Sequence, residues 1–208
     1  MYIKYFKRLI DIVLSVAGIV VLAIPMSIVA IMIKLDDAGP ALFTQKRVGV
    51  NKTHFNLYKF RSMRMSTPHD VPTHQLENPE QYLLKIGGFI RKYSLDEFPQ
   101  LFNILKGDMS IIGPRPALWN QFDLIEERDK YGANDVVPGL TGWAQINGRD
   151  ELEIPVKAKL DGEYVEKQSF LFDCKCFFGT ITKVIKHDGV VEGGTGEMKK
   201  INTRGVRE

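Results

Sequence analysis

The sequence predicts an α+β fold, in which an N-terminal membrane helix precedes a compact domain of short strands and helices. An uncharged stretch covers residues 12–33, two segments between residues 41 and 60 alternate as strands do, and most later segments have helical periodicity. A doubly wound nucleotide-binding fold is not indicated, because strands and helices do not alternate repeatedly along the chain.

The composition is that of a globular protein, since 44% of the 208 residues are hydrophobic and 25% are charged. The formal net charge is only +3, so no strong basic field favours a nucleic-acid partner. The two cysteines, Cys174 and Cys176, are too few for a disulfide framework or a four-ligand zinc site. They indicate a reduced compartment.

The uncharged stretch has the length of a membrane helix. A helix over residues 12–33 would be about 33 Å long, close to the ~30 Å hydrocarbon core of a bilayer. A cleaved signal peptide is disfavoured, because its apolar region spans only ~7–15 residues and ends at a small-residue cleavage site. Residues 1–38 are therefore predicted to be inserted in the membrane.

Basic side chains flank this stretch on both sides, at Lys4, Lys7, Arg8, Lys34, Lys46 and Arg47. Both flanks thus favour the cytoplasmic side. Pro25 removes a backbone donor near the middle, and Ser27 is a nearby candidate for satisfying the backbone there. We predict a kinked, re-entrant helix in the cytoplasmic leaflet, with an ordinary span kinked at proline as the alternative.

Residues 39–190 are predicted to form one domain, followed by a mobile tail at 191–208. Strands are expected at 41–48 and 53–60, and loops at 66–79 and 132–150. Apolar periodicity predicts helices at 80–92, 100–106, 119–131, 152–167 and 171–187. Gly107 is expected to end the second of these. The last two either lie on the membrane surface as amphipathic helices or pack on the domain.

The main cluster of candidate catalytic residues lies around the acidic pair Asp96 and Glu97. Pro99 follows closely and is favoured in the first turn of a helix, so an ordinary acidic helix start is one interpretation. Cations in neighbouring motifs favour another interpretation: Lys59, Arg91, Arg115 and Arg149. Two carboxylates among such cations are typical of a Mg²⁺ site that also holds phosphate.

Several long motifs follow one another along the chain: KRLIDIVLSVAGIVVLAIP, TQKRVG, YKFRSM, RKYSLDEFPQLFNILKGDMSIIGPRP and VVPGLTGWAQINGR. In these motifs, from about residue 4 to 190, the sequence resembles the small monotopic phosphoglycosyl transferases, bacterial sugar transferases that initiate surface-glycan assembly. The resemblance implies transfer of a sugar 1-phosphate from a UDP-sugar to a polyprenyl phosphate such as undecaprenyl phosphate, with release of UMP. It also implies a site on the cytoplasmic face of the bacterial inner membrane.

The resemblance further implies roles for single residues. The family nucleophile falls on Asp96, which would form a covalent aspartyl phospho-sugar, and Glu97 would support the Mg²⁺ site or acid–base work. The phosphate-binding basic positions and a further acidic position fall on Lys59, Arg91, Arg115, Arg149 and Asp173. The family's re-entrant helix breaks at a Ser-Pro pair, whereas this chain has Ile24 before Pro25.

Two other functions stay open from the residues. One is a membrane-anchored phospho-glycan-binding protein without catalysis, and the other is a Mg²⁺-dependent nucleotide-sugar hydrolase. Membrane phospholipid and downstream glycosyltransferases are further expected partners. The sequence indicates neither the donor sugar nor the glycan pathway.

Overall fold

A computed structural model describes residues 2–67, 79–148 and 152–186. Most of the proline-rich loop, Arg149 and the predicted tail lie outside these residues. The uncharged stretch forms the centre of one long helix, α1, from Lys7 to Asp36, preceded by a π-helical turn at Tyr2–Phe6.

The backbone of α1 stays helical through Pro25, and the re-entrant path in a membrane stays a prediction. Pro25 leaves the carbonyl of Val21 without its helical donor. The Ser27 hydroxyl donates instead to the carbonyl of Ala23, at 2.8 Å. Ser27 therefore does not replace the missing donor, because its hydroxyl bonds to the carbonyl of Ala23 and not to that of Val21.

One face of α1 packs on the domain along the whole helix, and the other is apolar and exposed. The buried residues follow the helical repeat, so that they lie on one face of α1: Lys7, Asp11, Ser15, Val29 and Ile33. Val21 and Ile24 on the outer face are each 74% exposed. Only 11% of the most apolar stretch is buried, whereas the core helix of a soluble protein is mostly buried. By length and composition α1 can cross a membrane, and these properties indicate membrane association.

The domain begins with the predicted hairpin. Strand β1, Leu42–Val48, pairs antiparallel with β2, His54–Phe60, in a register that sets Phe43 opposite Lys59. Helix α2, Gly87–Lys92, is shorter than predicted, and a 3₁₀ turn occupies Pro79–Tyr82. Helix α3, Gln100–Lys106, has its predicted bounds, and Gly107 ends it with a φ of 97°.

A second, parallel pair of strands was not expected from the sequence. Strand β3, Ser110–Ile112, pairs with β4, Gly139–Thr141, and β4 lies where a loop was predicted. Between them α4, Phe122–Asp129, is shorter than the predicted helix at 119–131. The short helix α5, Trp143–Ile146, follows β4 inside the same expected loop. Three-residue strands are too short to show an alternating pattern.

The last helices are close to their predictions, with α6 at Ile154–Lys167 and α7 at Phe170–Lys186. Both pack on the domain: Tyr164 and Cys176 enter a core cluster with Ile104 of α3 and Ile111 of β3. The outer face of α7 exposes large apolar side chains, among them Phe170, Leu171 and Phe178. Contact of this face with lipid stays a prediction.

Candidate active site

The acidic pair lies in a 3₁₀ turn, Leu95–Glu97, between α2 and α3. Ser94 precedes the turn with a φ of 55°, in the left-handed region that is unfavourable for a residue with a β-carbon. Such strain costs about 1–3 kcal/mol and persists only where the surrounding structure enforces it, as it often does at functional sites.

Glu97 is hydrogen-bonded to two cations. The terminal nitrogens of Arg115 donate to both carboxylate oxygens, Nη1 to Oε2 at 3.3 Å, and Lys59 Nζ donates to Oε1 at 3.1 Å. Burial alone would raise the pKa of Glu97, but the charges and hydrogen bonds of Arg115 and Lys59 outweigh it and hold the pKa well below its usual range. Glu97 is therefore ionised, with both oxygens committed to hydrogen bonds.

Asp96 is also buried but less constrained. The residue is 9% exposed, and Lys59 Nζ lies 3.8 Å from its Oδ2, beyond hydrogen-bond range. Burial raises the pKa of Asp96 and the charge of Glu97 adds to this, while Lys59, Arg91 and Arg115 oppose it. The pKa values of the two adjacent carboxylates are thus shifted in opposite directions, and Lys59 lies farther from Asp96 than from Glu97.

The structure gathers three of the predicted cations from separate elements. Lys59 lies on β2, Arg91 on α2, and Arg115 follows β3. Arg91 acts on Asp96 through its charge, whereas Lys59 and Arg115 contact the pair directly. A phosphate group approaching Asp96 would therefore meet a positive field.

The turn that carries Arg115 is fixed against β4 by close backbone contacts. The N–H of Gly113 donates to the carbonyl of Thr141 at 2.8 Å, and the N–H of Gly139 donates to that of Pro114 at 2.9 Å. A β-carbon at Gly113 would lie 2.6 Å from the carbonyl oxygen of Val137, so only glycine fits. Because β3 and β4 are parallel, the segment that leads to Arg115 and the one that leads into α5 leave the same end of the pair.

Asp173 makes its contacts in a different cluster. Its Oδ2 accepts hydrogen bonds from Lys7 Nζ at 2.7 Å and from the Tyr2 hydroxyl at 2.6 Å, and Oδ1 accepts one from Tyr164 at 2.8 Å. The residue is 6% exposed. These contacts anchor α1 to α6 and α7, and the predicted role of Asp173 in substrate binding stays a prediction.

Two buried polar positions that join helices to strands in the structure were not predicted from the sequence. One is at the start of α1, where Asp11 accepts a hydrogen bond from the N–H of Ile111 at 2.9 Å. The other is Asn103, which is fully buried in α3. A polar residue inside the apolar segment QLFNILK was the available signal.

The residues fit a magnesium ion only in part. Mg²⁺ typically takes one or two carboxylates together with substrate phosphate oxygens and water. Among the described residues no group of three His, Cys, Asp or Glu could hold a metal ion. Asp96 can offer an oxygen, whereas the Glu97 oxygens are taken by Arg115 and Lys59. The geometry thus fits an ion shared between Asp96 and a diphosphate substrate better than one held by both carboxylates.

A buried carboxylate pair, cations from three elements and a long apolar helix fit a membrane-associated protein with a site for phosphorylated groups. The chain belongs to the bacterial sugar transferase family, whose model matches residues 2–187.

Relatives in three bacteria extend this finding. The chain is 42% identical over 190 residues to the undecaprenyl-phosphate glucose phosphotransferase of Komagataeibacter xylinus, covering 86% of this chain and 36% of that protein. It is 37% identical over 187 residues to the UDP-glucose:undecaprenyl-phosphate glucose-1-phosphate transferase of Escherichia coli, covering 86% and 40%. The uncharacterized sugar transferase EpsL of Bacillus subtilis is 38% identical over 184 residues, covering 88% and 89%. The chain spans about two fifths of the first two proteins and most of EpsL.

Proposed function

We propose that this protein transfers a sugar 1-phosphate from a UDP-sugar to a polyprenyl phosphate such as undecaprenyl phosphate and releases UMP. The observation that carries the proposal is the buried Asp96 beside a Glu97 fixed by Arg115 and Lys59. The relatives from K. xylinus and E. coli are named as transferases that act on undecaprenyl phosphate, which supports the same acceptor here.

The proposed reaction has two displacements at one phosphorus atom. An Asp96 oxygen attacks the phosphorus that bears the sugar, and the bond to the bridging oxygen of the diphosphate breaks, so that UMP leaves. A phosphate oxygen of the polyprenyl phosphate then attacks the aspartyl phospho-sugar, and Asp96 departs as a carboxylate. A covalent intermediate splits one difficult transfer into two easier steps.

The surrounding residues position and neutralise charge. Lys59 lies within 4 Å of both carboxylates and can shift toward a phosphate oxygen as negative charge develops. Arg115 keeps Glu97 ionised, and Arg91 adds positive charge. When bound, Mg²⁺ would neutralise diphosphate charge, with Asp96 as its protein ligand.

The membrane arrangement we propose follows from the two ends of α1. At its start, Lys7 pairs with Asp173 and Arg8 donates to the carbonyls of Ile104 and Leu105. At its end, Asp37 pairs with Arg61. A helix whose two ends both contact one domain cannot place them on opposite sides of a bilayer. We infer a re-entrant helix with its outer face in the lipid and the active site on the cytoplasmic face of the bacterial inner membrane.

This placement explains the need for a membrane. A polyprenyl phosphate keeps its phosphate at the lipid surface, so a nearby active site can receive it without extracting the lipid. The exposed aromatic side chains of α7 would add contacts at the interface. The product would supply downstream glycosyltransferases that assemble a surface glycan.

The intact mass of the protein tests the proposal. Purified protein is incubated with Mg²⁺ and a panel of UDP-sugars without lipid acceptor, and a mass increase of one phospho-sugar is expected. Asp96→Asn should abolish the adduct, while Asp129→Asn, an exposed control, should retain it. UMP release that is unaffected by Asp96→Asn with lipid present would contradict the assignment.

The same samples separate the two other functions. A phospho-glycan-binding protein would bind the sugar nucleotide, form no product and tolerate Asp96→Asn. A hydrolase would release UMP and free sugar phosphate without any lipid acceptor. A hydrolase of soluble sugar nucleotides does not explain why a long apolar face accompanies the site, whereas a lipid substrate does.

A further inference from the structure

Asn103 connects the helix that follows the acidic pair to the strand that carries Lys59. Its side chain is fully buried on α3. Oδ1 accepts a hydrogen bond from the backbone N–H of Tyr58 at 2.9 Å, and Nδ2 donates to the carbonyl of Asn56 at 2.8 Å. Nδ2 also donates to Asp108 Oδ2 at 3.0 Å. The amide therefore replaces a neighbouring strand along the edge of β2 that β1 leaves uncovered.

These hydrogen bonds lie immediately beside the active site. Lys59 directly follows Tyr58, and its ammonium must reach Glu97 at 3.1 Å and Asp96 at 3.8 Å. The carboxylates precede α3, so the distance between the cation and the pair depends on how β2 sits against that helix. Asn103 holds two backbone groups of β2 against α3, in addition to the contact of Lys106 with Tyr58 and the apolar packing between the two elements.

We propose that Asn103 is a positioning residue that holds Lys59 against the Asp96–Glu97 pair. The expected effect of Asn103 on turnover depends on the proposed function. Its effect on the position of Lys59 does not. A buried amide whose hydrogen bonds are all made rigidifies its surroundings. Loss of the Asn103 amide would leave the N–H of Tyr58 and the carbonyl of Asn56 without these hydrogen bonds. A shift of ~1 Å at a reacting group can cost about 10²-fold in rate.

The first test measures the position of Lys59 without using activity. Lysines of the full protein in detergent are acylated competitively, and the rate at Lys59 is compared with that at the exposed Lys167 by mass spectrometry. We expect Asn103→Ala to raise the relative rate at Lys59 about fivefold, because the ammonium loses its ion pairs. Asn134→Ala is the matched control: Asn134 is a buried amide with two side-chain hydrogen bonds in another part of the domain.

The second test measures turnover. Asn103→Ala should lower kcat about tenfold or more and change KM for the UDP-sugar less than about twofold. In a Lys59→Met background the same substitution should cost less than about twofold more, since the group that it positions is already gone. Asn134→Ala should lower the melting temperature without changing kcat of the folded protein.

The outcomes separate the two proposals. If the wild type forms no adduct and releases no UMP, the proposed function fails, while the labelling of Lys59 still decides the role of Asn103. Unchanged labelling of Lys59 in Asn103→Ala, or a kcat loss equal in the wild-type and Lys59→Met backgrounds, would overturn the inference. Should Asn103→Ala not fold, Asn103→Ser removes the same hydrogen bonds while keeping a small polar group that adds no charge beside Asp108, and the same comparisons apply.

Discussion

Arg115 donates to both carboxylate oxygens of Glu97, and this fork leaves the adjacent Asp96 as the freer of two neighbouring acids. The environments of the two groups shift their pKa values in opposite directions, Glu97 downward and Asp96 upward. Two neighbouring titratable groups whose pKa values are shifted apart generally have different roles. Here Glu97 fixes the cations, and in the proposed reaction Asp96 attacks the substrate.

Arg115→Lys should lower kcat by about tenfold to 10³-fold, because one ammonium cannot make the two parallel hydrogen bonds that hold Glu97. UMP release at saturating donor and acceptor measures the effect. Lys130→Met, which removes an exposed ion pair with Glu127, is the control and should leave the rate unchanged. An Arg115→Lys rate within twofold of wild type would show that the fork is dispensable.

Lys7→Met should destabilise the protein by about 3–5 kcal/mol, because it leaves the carboxylate of Asp173 buried without its cation. Thermal or denaturant unfolding in detergent measures this. Lys52→Met, which removes a solvent-exposed partner of Asp129, should cost no more than about 1 kcal/mol. Similar losses in the two variants would argue against a specific anchor for α1.

Asp173→Asn decides between an anchoring and a substrate-binding role. The anchoring role predicts lower stability with an unchanged KM for the UDP-sugar in the fraction that stays folded. A raised KM at unchanged stability would place Asp173 in the substrate site, as the family resemblance implies. Steady-state kinetics on the variant, with folding checked by circular dichroism, distinguishes the two results.

The two ends of α1 should be accessible from the same side of the membrane. Cysteines placed at Ile3, which is 55% exposed, and at Thr53 on the hairpin turn can be labelled in sealed vesicles of each orientation. Cys174 is first replaced by alanine, while Cys176 is buried. We expect both positions to react from the cytoplasmic side. Labelling from opposite sides would establish an ordinary transmembrane span.

The contact at the end of α1 should weaken in acid. The N–H of Met65 and the guanidinium of Arg61 both donate to Asp37 and lower its pKa, the first of these being the larger effect. The stabilisation is therefore complete above the unfolded pKa of ~3.9 and is lost as pH falls through the lower, folded value. Asp37→Asn should accelerate hydrogen exchange at the Met65 amide at neutral pH, and the difference from wild type should shrink below the folded pKa. Equal exchange at neutral pH would mean that Asp37 does not hold this contact.

Removal of divalent cations with EDTA should abolish adduct formation, and added Mg²⁺ should restore it. Since the Glu97 oxygens are bound by Arg115 and Lys59, Glu97→Gln should lower the rate without a large change in the Mg²⁺ concentration needed for half-maximal activity. A large rise in that concentration would show that both carboxylates hold the ion. Full activity in EDTA would exclude a metal requirement.

Local patterns predicted local structure well. The hairpin and α3 with Gly107 follow from alternation, periodicity and a helix-ending glycine, each a short-range property. The parallel pair β3 and β4 is held by contacts between segments far apart in sequence, and its strands are too short to show a pattern. Lys7 was interpreted as a flanking charge because the uncharged stretch begins after it, yet it is buried against Asp173.

The active site could be predicted in composition but not in detail. Lys59, Arg91 and Arg115 surround the acidic pair as expected. The opposite pKa shifts of Asp96 and Glu97 could not be predicted from the sequence, because they depend on which carboxylate the guanidinium of Arg115 contacts. The role of Asn103 depends on the packing of β2 against α3, which no local pattern records.

The ion pair between Lys7 and Asp173 joins positions 166 residues apart, so it has a consequence for synthesis. The first helix leaves the ribosome long before α7 exists, and it carries Lys7 and Asp11 toward the lipid without their partners. The contact of Lys7 with Asp173 must therefore wait until nearly all the described chain has been made, whereas Arg8 and Asp11 can reach α3 and β3 earlier. A chain interrupted before α7 would leave a membrane-bound fragment in which Lys7 lacks its carboxylate partner, a ready substrate for membrane proteases.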